Sequence, residues 1–218
     1  MTVYVYTGTV GTGKSLHAAS DIRFDLNRRH PRPIIANFDL APDAPVRQRE
    51  TFHYVPNHEL TPDFLVGFAN DYWEGRDGDF REDFIRLYID EAQLLYNSRL
   101  WGEKTRLSML EFMSQSRKYG YKVMLIAQSA KMIDNQFRML IEYEVNHRKV
   151  SNMGFLGALA GIPFRNRLFS WISYYFQLNE RIGSELYIAR RKDWQMYDTR
   201  KRFEHTSSAF KDSAKAYK

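Results

Sequence analysis

Gly8-Thr9-Val10-Gly11-Thr12-Gly13-Lys14-Ser15 is a complete GxxxxGKS stretch, and its setting decides the fold. A short alternating run, Thr2-Val3-Tyr4-Val5-Tyr6, precedes it, and a helix-compatible stretch from Leu16 to Leu26 follows. Strand, glycine-rich loop and helix in that order form a phosphate-binding unit. The glycines let successive backbone N–H groups converge on one phosphate cluster, and the N-terminus of the next helix adds partial positive charge. Lys14 is placed to reach the β- and γ-phosphates of a nucleotide, and the Ser15 hydroxyl to ligate Mg²⁺.

A second half of such a site lies further on. Phe84-Ile85-Arg86-Leu87-Tyr88-Ile89 is apolar and β-branched enough for a buried strand, and it runs into Asp90-Glu91. At a buried strand's end, Asp90 is positioned to support Mg²⁺ and Glu91 to polarise an attacking water. The same pair also reads as a helix cap with a first-turn acid, because Ala92-Gln93-Leu94-Leu95 follows. The loop upstream favours the nucleotide reading, with ATP and Mg²⁺ as cofactors.

Strand and helix signals alternate along the chain, which predicts an α/β fold with a mostly parallel central sheet flanked by helices. Pro33 to Asn37 reads as the second strand, and residues 41–60 as proline-rich and irregular. Thr61-Pro62-Asp63 opens a helix with proline at its first position. Leu107 to Arg117 is amphipathic, with Leu107, Leu110 and Met113 expected in the core. Lys122 to Ala127 is a buried strand closed by Gln128-Ser129. Gln128 there either senses the γ-phosphate or makes an ordinary strand-end hydrogen bond. Ile141 to His147 alternates as a half-exposed strand. Leu168 to Leu178 and Leu186 to Ala189 predict a C-terminal antiparallel pair. The domain reading is one ATPase domain over 1–203 with a basic, mobile tail over 204–218.

At 218 residues and 44% hydrophobic, the chain can bury one substantial core. With no cysteines, a disulfide framework, a zinc–thiolate site and a cysteine nucleophile are excluded. No basic-then-apolar leader precedes the first strand, and a reducing compartment is expected. The near-apolar stretch Met153 to Phe164 is too short to span a bilayer. It reads as a buried Gly/Ala-rich connection, the alternative being a loop that touches a membrane or a partner. The six histidines lack metal-ligand spacing and are expected on the surface or in loops. Trp101 is a packed loop aromatic or a contact point.

The net charge of +6 is uneven. Residues 181–218 hold ten Lys/Arg against five Asp/Glu, whereas residues 1–180 hold 22 against 21. Such a basic end suits an anionic membrane surface or nucleic acid, or is a solvated face.

In this order the elements resemble the zonula occludens toxin (Zot) family, whose relatives include filamentous-phage assembly ATPases. The residues that carry the likeness are the early Gly8–Ser15 loop, Ile89-Asp90-Glu91-Ala92-Gln93, and Asn97-Ser98-Arg99. Further on come Ser116-Arg117-Lys118-Tyr119-Gly120, Ala127-Gln128-Ser129, Lys131-Met132-Ile133-Asp134 and Tyr197-Asp198-Thr199. The chain also resembles the wider FtsK/HerA branch of P-loop motors, in which an arginine ahead of the Gln strand acts on a neighbour's nucleotide. Arg117 matches that position, a solvated helix-end arginine being the alternative.

The resemblance implies an additional-strand P-loop NTPase core, a ring-like homo-oligomer of hexamer type, and a motor driving virion assembly and extrusion at the cytoplasmic side of the host inner membrane. Phage coat or assembly proteins, a membrane surface or membrane protein, and phage DNA are the implied partners. Family members carry a transmembrane segment and an outer domain after the ATPase domain. No run here matches that segment, so the chain is expected either to be part of a longer membrane-anchored protein or to associate peripherally by docking on a separate membrane protein. The rival readings are a DNA-packaging or DNA-translocating ATPase and a non-hydrolysing nucleotide-gated scaffold or secreted effector. Toxin activity has no support in these residues.

Overall fold

The computed structural model describes residues 2–76, 79–95 and 103–197. Asn97-Ser98-Arg99, Trp101, Asp198-Thr199 and the segment 204–218 lie outside the described residues.

The chain forms β1 (Val3–Thr7), α1 (Lys14–Leu26), β2 (Ile34–Ala36), β3 (Phe52–Tyr54), α2 (Pro62–Trp73), β4 (Ile85–Ile89), α3 (Ala92–Leu95), α4 (Glu103–Gln115) and β5 (Tyr121–Ile126). Beyond these lie α5 (Asn135–Arg138), β6 (Tyr143–Lys149), α6 (Gly154–Gly161), β7 (Leu168–Tyr175), β8 (Glu180–Ile188) and α7 (Arg191–Trp194). All eight strands belong to one sheet, in the order β3-β2-β4-β5-β1-β6-β7-β8. From β3 to β6 every neighbouring pair is parallel, and β6-β7-β8 is antiparallel. β5 separates the phosphate-loop strand β1 from β4, with Val3 level with Val123 and Ile85 with Tyr121. That interposed strand is the additional-strand arrangement that the family resemblance implied.

Period-two alternation puts the central strands' side chains into two cores. On one face Val5, Leu87, Ile89, Val123 and Leu125 pack with Leu65 and Ala69 of α2 and with Met109, Phe112 and Met113 of α4. On the other, Tyr6, Tyr88, Met124 and Ile126 pack with Leu16, Ala19, Ile22 and Leu26 of α1. Thr61 caps α2 as its sequence predicts, its hydroxyl accepting from the Phe64 N–H at 3.2 Å. The second core is closed by Arg23, which holds the buried Asp193 of α7 at 2.8 Å.

Three expectations are corrected. Leu107 is exposed, whereas Met113 is buried and Leu110 packs against the core as expected, and Met109 and Phe112 complete the buried stripe at i, i+3 and i+4. The irregular segment 41–60 contains β3, whose three residues are too few to leave a periodic signal. Met153 to Phe164 is not a buried connection. Gly157 and Gly161 face inward in α6, a Cβ on Gly157 falling 2.3 Å from the Val150 carbonyl oxygen, while Phe155, Leu159 and Ile162 are exposed.

Candidate nucleotide site

The carboxyl ends of β1, β4 and β5 bring the sequence-predicted residues together. After β1 the chain turns through Gly8 and Gly13, whose φ values of 142° and 98° lie in the region glycine favours. Space demands glycine as well. A Cβ on Gly8 would lie 2.5 Å from Thr12 Oγ1 and 2.6 Å from the His147 carbonyl oxygen, and one on Gly13 would lie 2.7 Å from the Phe169 ring. The loop is therefore braced from below by β6 and β7. The Gly8 N–H donates to the Gln128 carbonyl at 3.2 Å, tying the loop to the end of β5. Thr12 Oγ1 donates to the Thr9 carbonyl at 2.7 Å, and Val10 stands exposed at the loop's tip.

Lys14 opens α1 and folds over its own loop, donating to the Gly8 and Thr9 carbonyls at 2.8 and 3.1 Å. Burial pulls its pKa down, while the carboxylates of Asp90 and Glu91 act the other way. An ammonium resting on carbonyls in an anion-shaped loop, with open space over Gly11, fits a site built to exchange those contacts for phosphate oxygens.

Asp90 is buried at the end of β4 and fully engaged. Its N–H donates to Asn37 Oδ1 at 2.7 Å, and Asn37 Nδ2 donates back to its carbonyl at 2.8 Å. Its Oδ1 accepts the Glu91 N–H at 2.9 Å, and its Oδ2 accepts the Tyr197 phenol at 3.0 Å. Burial raises the Asp90 pKa, and the hydrogen bonds from Glu91 and Tyr197 work against that rise. Burial pushes the Tyr197 phenol's pKa up, and Asp90 beside it adds to that rise. Glu91 sits at φ 50°, a left-handed conformation costly for a non-glycine residue, and its carboxylate accepts from Gln93 Nε2. Among the described residues no group of three or more His, Asp or Glu could hold a metal alone.

The Gln128 side chain is exposed at the end of β5, beside the loop. Arg117 stands elsewhere. It precedes β5, is solvent-exposed and is paired with Glu82. Six residues of strand separate the two ends of β5, so Arg117 lies roughly 20 Å from its own phosphate loop.

Sequence reasoning missed Asn37 and Tyr197 as site residues. Asn37 follows a three-residue strand, and only the pairing of β2 with β4 brings it to Asp90. It also misplaced two histidines, which are core residues rather than surface ones. His17 Nδ1 and His147 Nε2 lie 2.8 Å apart, directly behind the loop. His147 Nδ1 donates to the Thr7 carbonyl at 3.1 Å, so in the neutral pair His17 donates to His147. His17 is sandwiched between Tyr6 and Trp171, with ring centroids at 4.6 and 3.7 Å. Burial pushes both histidines down to about 3 and nearby Asp21 up to about 6.

The Zonular occludens toxin (Zot) family profile matches residues 2–171. The chain is 29% identical over 188 residues to the Gene 1 protein of Escherichia phage If1, covering 79% of this chain and 47% of that protein. It is 26% identical over 187 residues to the Gene 1 protein of Enterobacteria phage M13, with the same shares covered. It therefore spans about half the length of the curated relatives it matches. Among solved structures, the N-terminal domain of zonular occludens toxin from Neisseria meningitidis is similar, with a TM-score of 0.54 and 15% identity over 90% of this chain and 98% of that one. Among the described residues no helix is long and apolar enough to cross a membrane. With a P-loop sheet of additional-strand order and a family match over most of its length, this chain belongs to the Zonular occludens toxin (Zot) family.

Proposed function

We propose that this chain is an Mg-ATP-hydrolysing motor subunit that drives filamentous virion assembly and extrusion at the host inner membrane. The observation that carries the reading is the convergence of Lys14, Ser15, Asp90 and Gln128 at the carboxyl ends of three adjacent parallel strands. In this assignment the loop amides of Gly8 to Ser15, with Lys14, hold the phosphates. Ser15 and Asp90 hold Mg²⁺, which neutralises phosphate charge when bound. Glu91 orients and deprotonates the attacking water, and Gln128 senses the γ-phosphate. Arg117 faces away from its own loop and serves a neighbour's site in a ring. Residues 1–203 form the ATPase domain and 204–218 a basic tail. The Gene 1 relatives are phage proteins, which supports the phage setting.

The test is ATP hydrolysis alongside ATP binding. Lys14→Ala should abolish the rise in melting temperature that Mg-ATP gives the wild type. Glu91→Gln should keep that rise and lose about 100-fold or more in turnover. ATP-induced stabilisation in Lys14→Ala equal to that of the wild type would rule out the phosphate site. Unchanged turnover in Glu91→Gln would move the base elsewhere. Turnover that depends on DNA would favour the packaging reading, to which the basic C-terminal region is equally suited.

A further inference from the structure

The outward face of α6 reverses the usual amphipathic pattern. Phe155, Leu159 and Ile162 follow one another at helical spacing, and they are 82%, 56% and 64% exposed. Met153 and Phe164 extend the apolar surface at either end, also exposed. A cluster of this kind on a protein surface marks a contact site.

Its electrostatic surroundings identify the partner. From residue 145 to residue 179 the chain contains no Asp or Glu, while Arg148, Lys149, Arg165 and Arg167 flank the apolar helix. Arg165 and Asn166 adopt φ values of 51° and 56°, a tight turn that holds the basic pair directly after Phe164. The turn's backbone is also satisfied from within. The N–H groups of Phe164 and Asn166 donate to the Gly161 carbonyl at 3.2 and 2.9 Å, and that of Arg165 to Ile162 at 3.0 Å. The turn can therefore enter the headgroup region without stranding those N–H groups. An eight-residue helix is only about 12 Å long, which allows it to lie in an interface and not to cross it.

We infer that α6 and the following turn, residues 153–167, form a membrane-docking face that seats Phe155, Leu159 and Ile162 in the headgroup region of an anionic bilayer, with Arg165 and Arg167 on lipid phosphates. This face is separate from the basic C-terminal tail and does not depend on the nucleotide reading. It follows β6, which borders the phosphate loop at His147, so the docked face and the loop share one rigid strand.

The full chain is tested by co-sedimentation with vesicles of mixed phosphatidylcholine and phosphatidylglycerol, against pure phosphatidylcholine, without nucleotide. Phe155→Asp combined with Leu159→Asp should weaken binding by about tenfold or more. Arg165→Ala and Arg167→Ala should each cost roughly fivefold, and less at high salt. All these side chains are exposed, so the variants should melt like the wild type. The chain has no cysteine, so Leu159→Cys carries a single environment-sensitive dye. Its emission should shift to the blue on anionic vesicles, whereas the same dye on Glu74→Cys should not respond. Three results would overturn the proposal: no vesicle binding by the wild type, wild-type binding by the aspartate pair, or no response from the Leu159→Cys dye. Loss of self-association in the aspartate pair with vesicle binding intact would assign the face to a second copy instead.

Discussion

The phenol of Tyr197 donates a 3.0 Å hydrogen bond to Asp90 Oδ2, joining the last described residue to the end of β4. That bond opposes the rise in the Asp90 pKa that burial causes. Tyr197→Phe removes it and keeps the ring's edge-on contact with Phe38. The Asp90 pKa should then rise further, because the bond that opposes the effect of burial is gone. The acidic limb of the pH–rate profile for ATP turnover should move to higher pH. An unshifted limb would separate Tyr197 from Asp90's protonation.

Gly8→Ala should cripple the loop while sparing most of the fold. The added methyl meets the Thr12 hydroxyl oxygen and the His147 carbonyl oxygen, and the backbone φ of 142° disfavours any L-residue. The strain, roughly 1–3 kcal/mol, would be relieved by distorting the loop. The expected result is loss of ATP-induced stabilisation with a native-like circular dichroism spectrum. Normal ATP affinity would show that the loop tolerates a Cβ there.

Arg117 cannot act on its own subunit's phosphates across the length of β5, so its assignment demands action in trans. A finger from a neighbour typically accelerates phosphoryl transfer by roughly 10³–10⁵-fold. Specific activity should therefore climb with protein concentration. Mixing Arg117→Ala with Lys14→Ala should restore activity that neither has alone, since some interfaces then pair an intact loop with an intact arginine. Normal turnover in Arg117→Ala would leave the residue as Glu82's surface partner.

The buried histidine pair sets a pH dependence of stability. Each histidine titrates near 6.5 when unfolded and at about 3 when folded, so the unfolded state binds more protons between those values. Stability contributed by neutral His17 and His147 is thus present above pH 6.5 and falls with acidification, by about 1.4 kcal/mol per pH unit for each. Asp21, raised to about 6, acts in the opposite sense from there down to its ordinary 3.8, weakened because 41% of its side chain is exposed. Urea unfolding at pH 7 and pH 5 should show the net loss. His17→Phe, which preserves the stack between Tyr6 and Trp171, should flatten it. Equal pH dependence in the variant would place the titrating groups elsewhere.

What the sequence determined by itself was whatever local chemistry dictates. Gly8 to Ser15 reads as a phosphate loop from its own residues, and the apolar runs ending at Asp90 and Gln128 announce buried strands whose ends carry polar groups. The parallel order followed from strand–helix alternation, and the antiparallel end from two aromatic runs with a short connection. Tertiary structure decided whatever depends on which segments become neighbours. Asn37 reaches Asp90 only because β2 pairs with β4, and Tyr197 only because α7 docks on α1 through Asp193 and Arg23. His17 and His147 read as isolated polar residues until β1 and β6 pair and close them behind the loop, where burial outweighs their ordinary preference for water. The α6 segment shows the same limit from the other side. Its composition favours burial, yet Gly157 took the inner face through its close approach to Val150, and Phe155, Leu159 and Ile162 were left exposed.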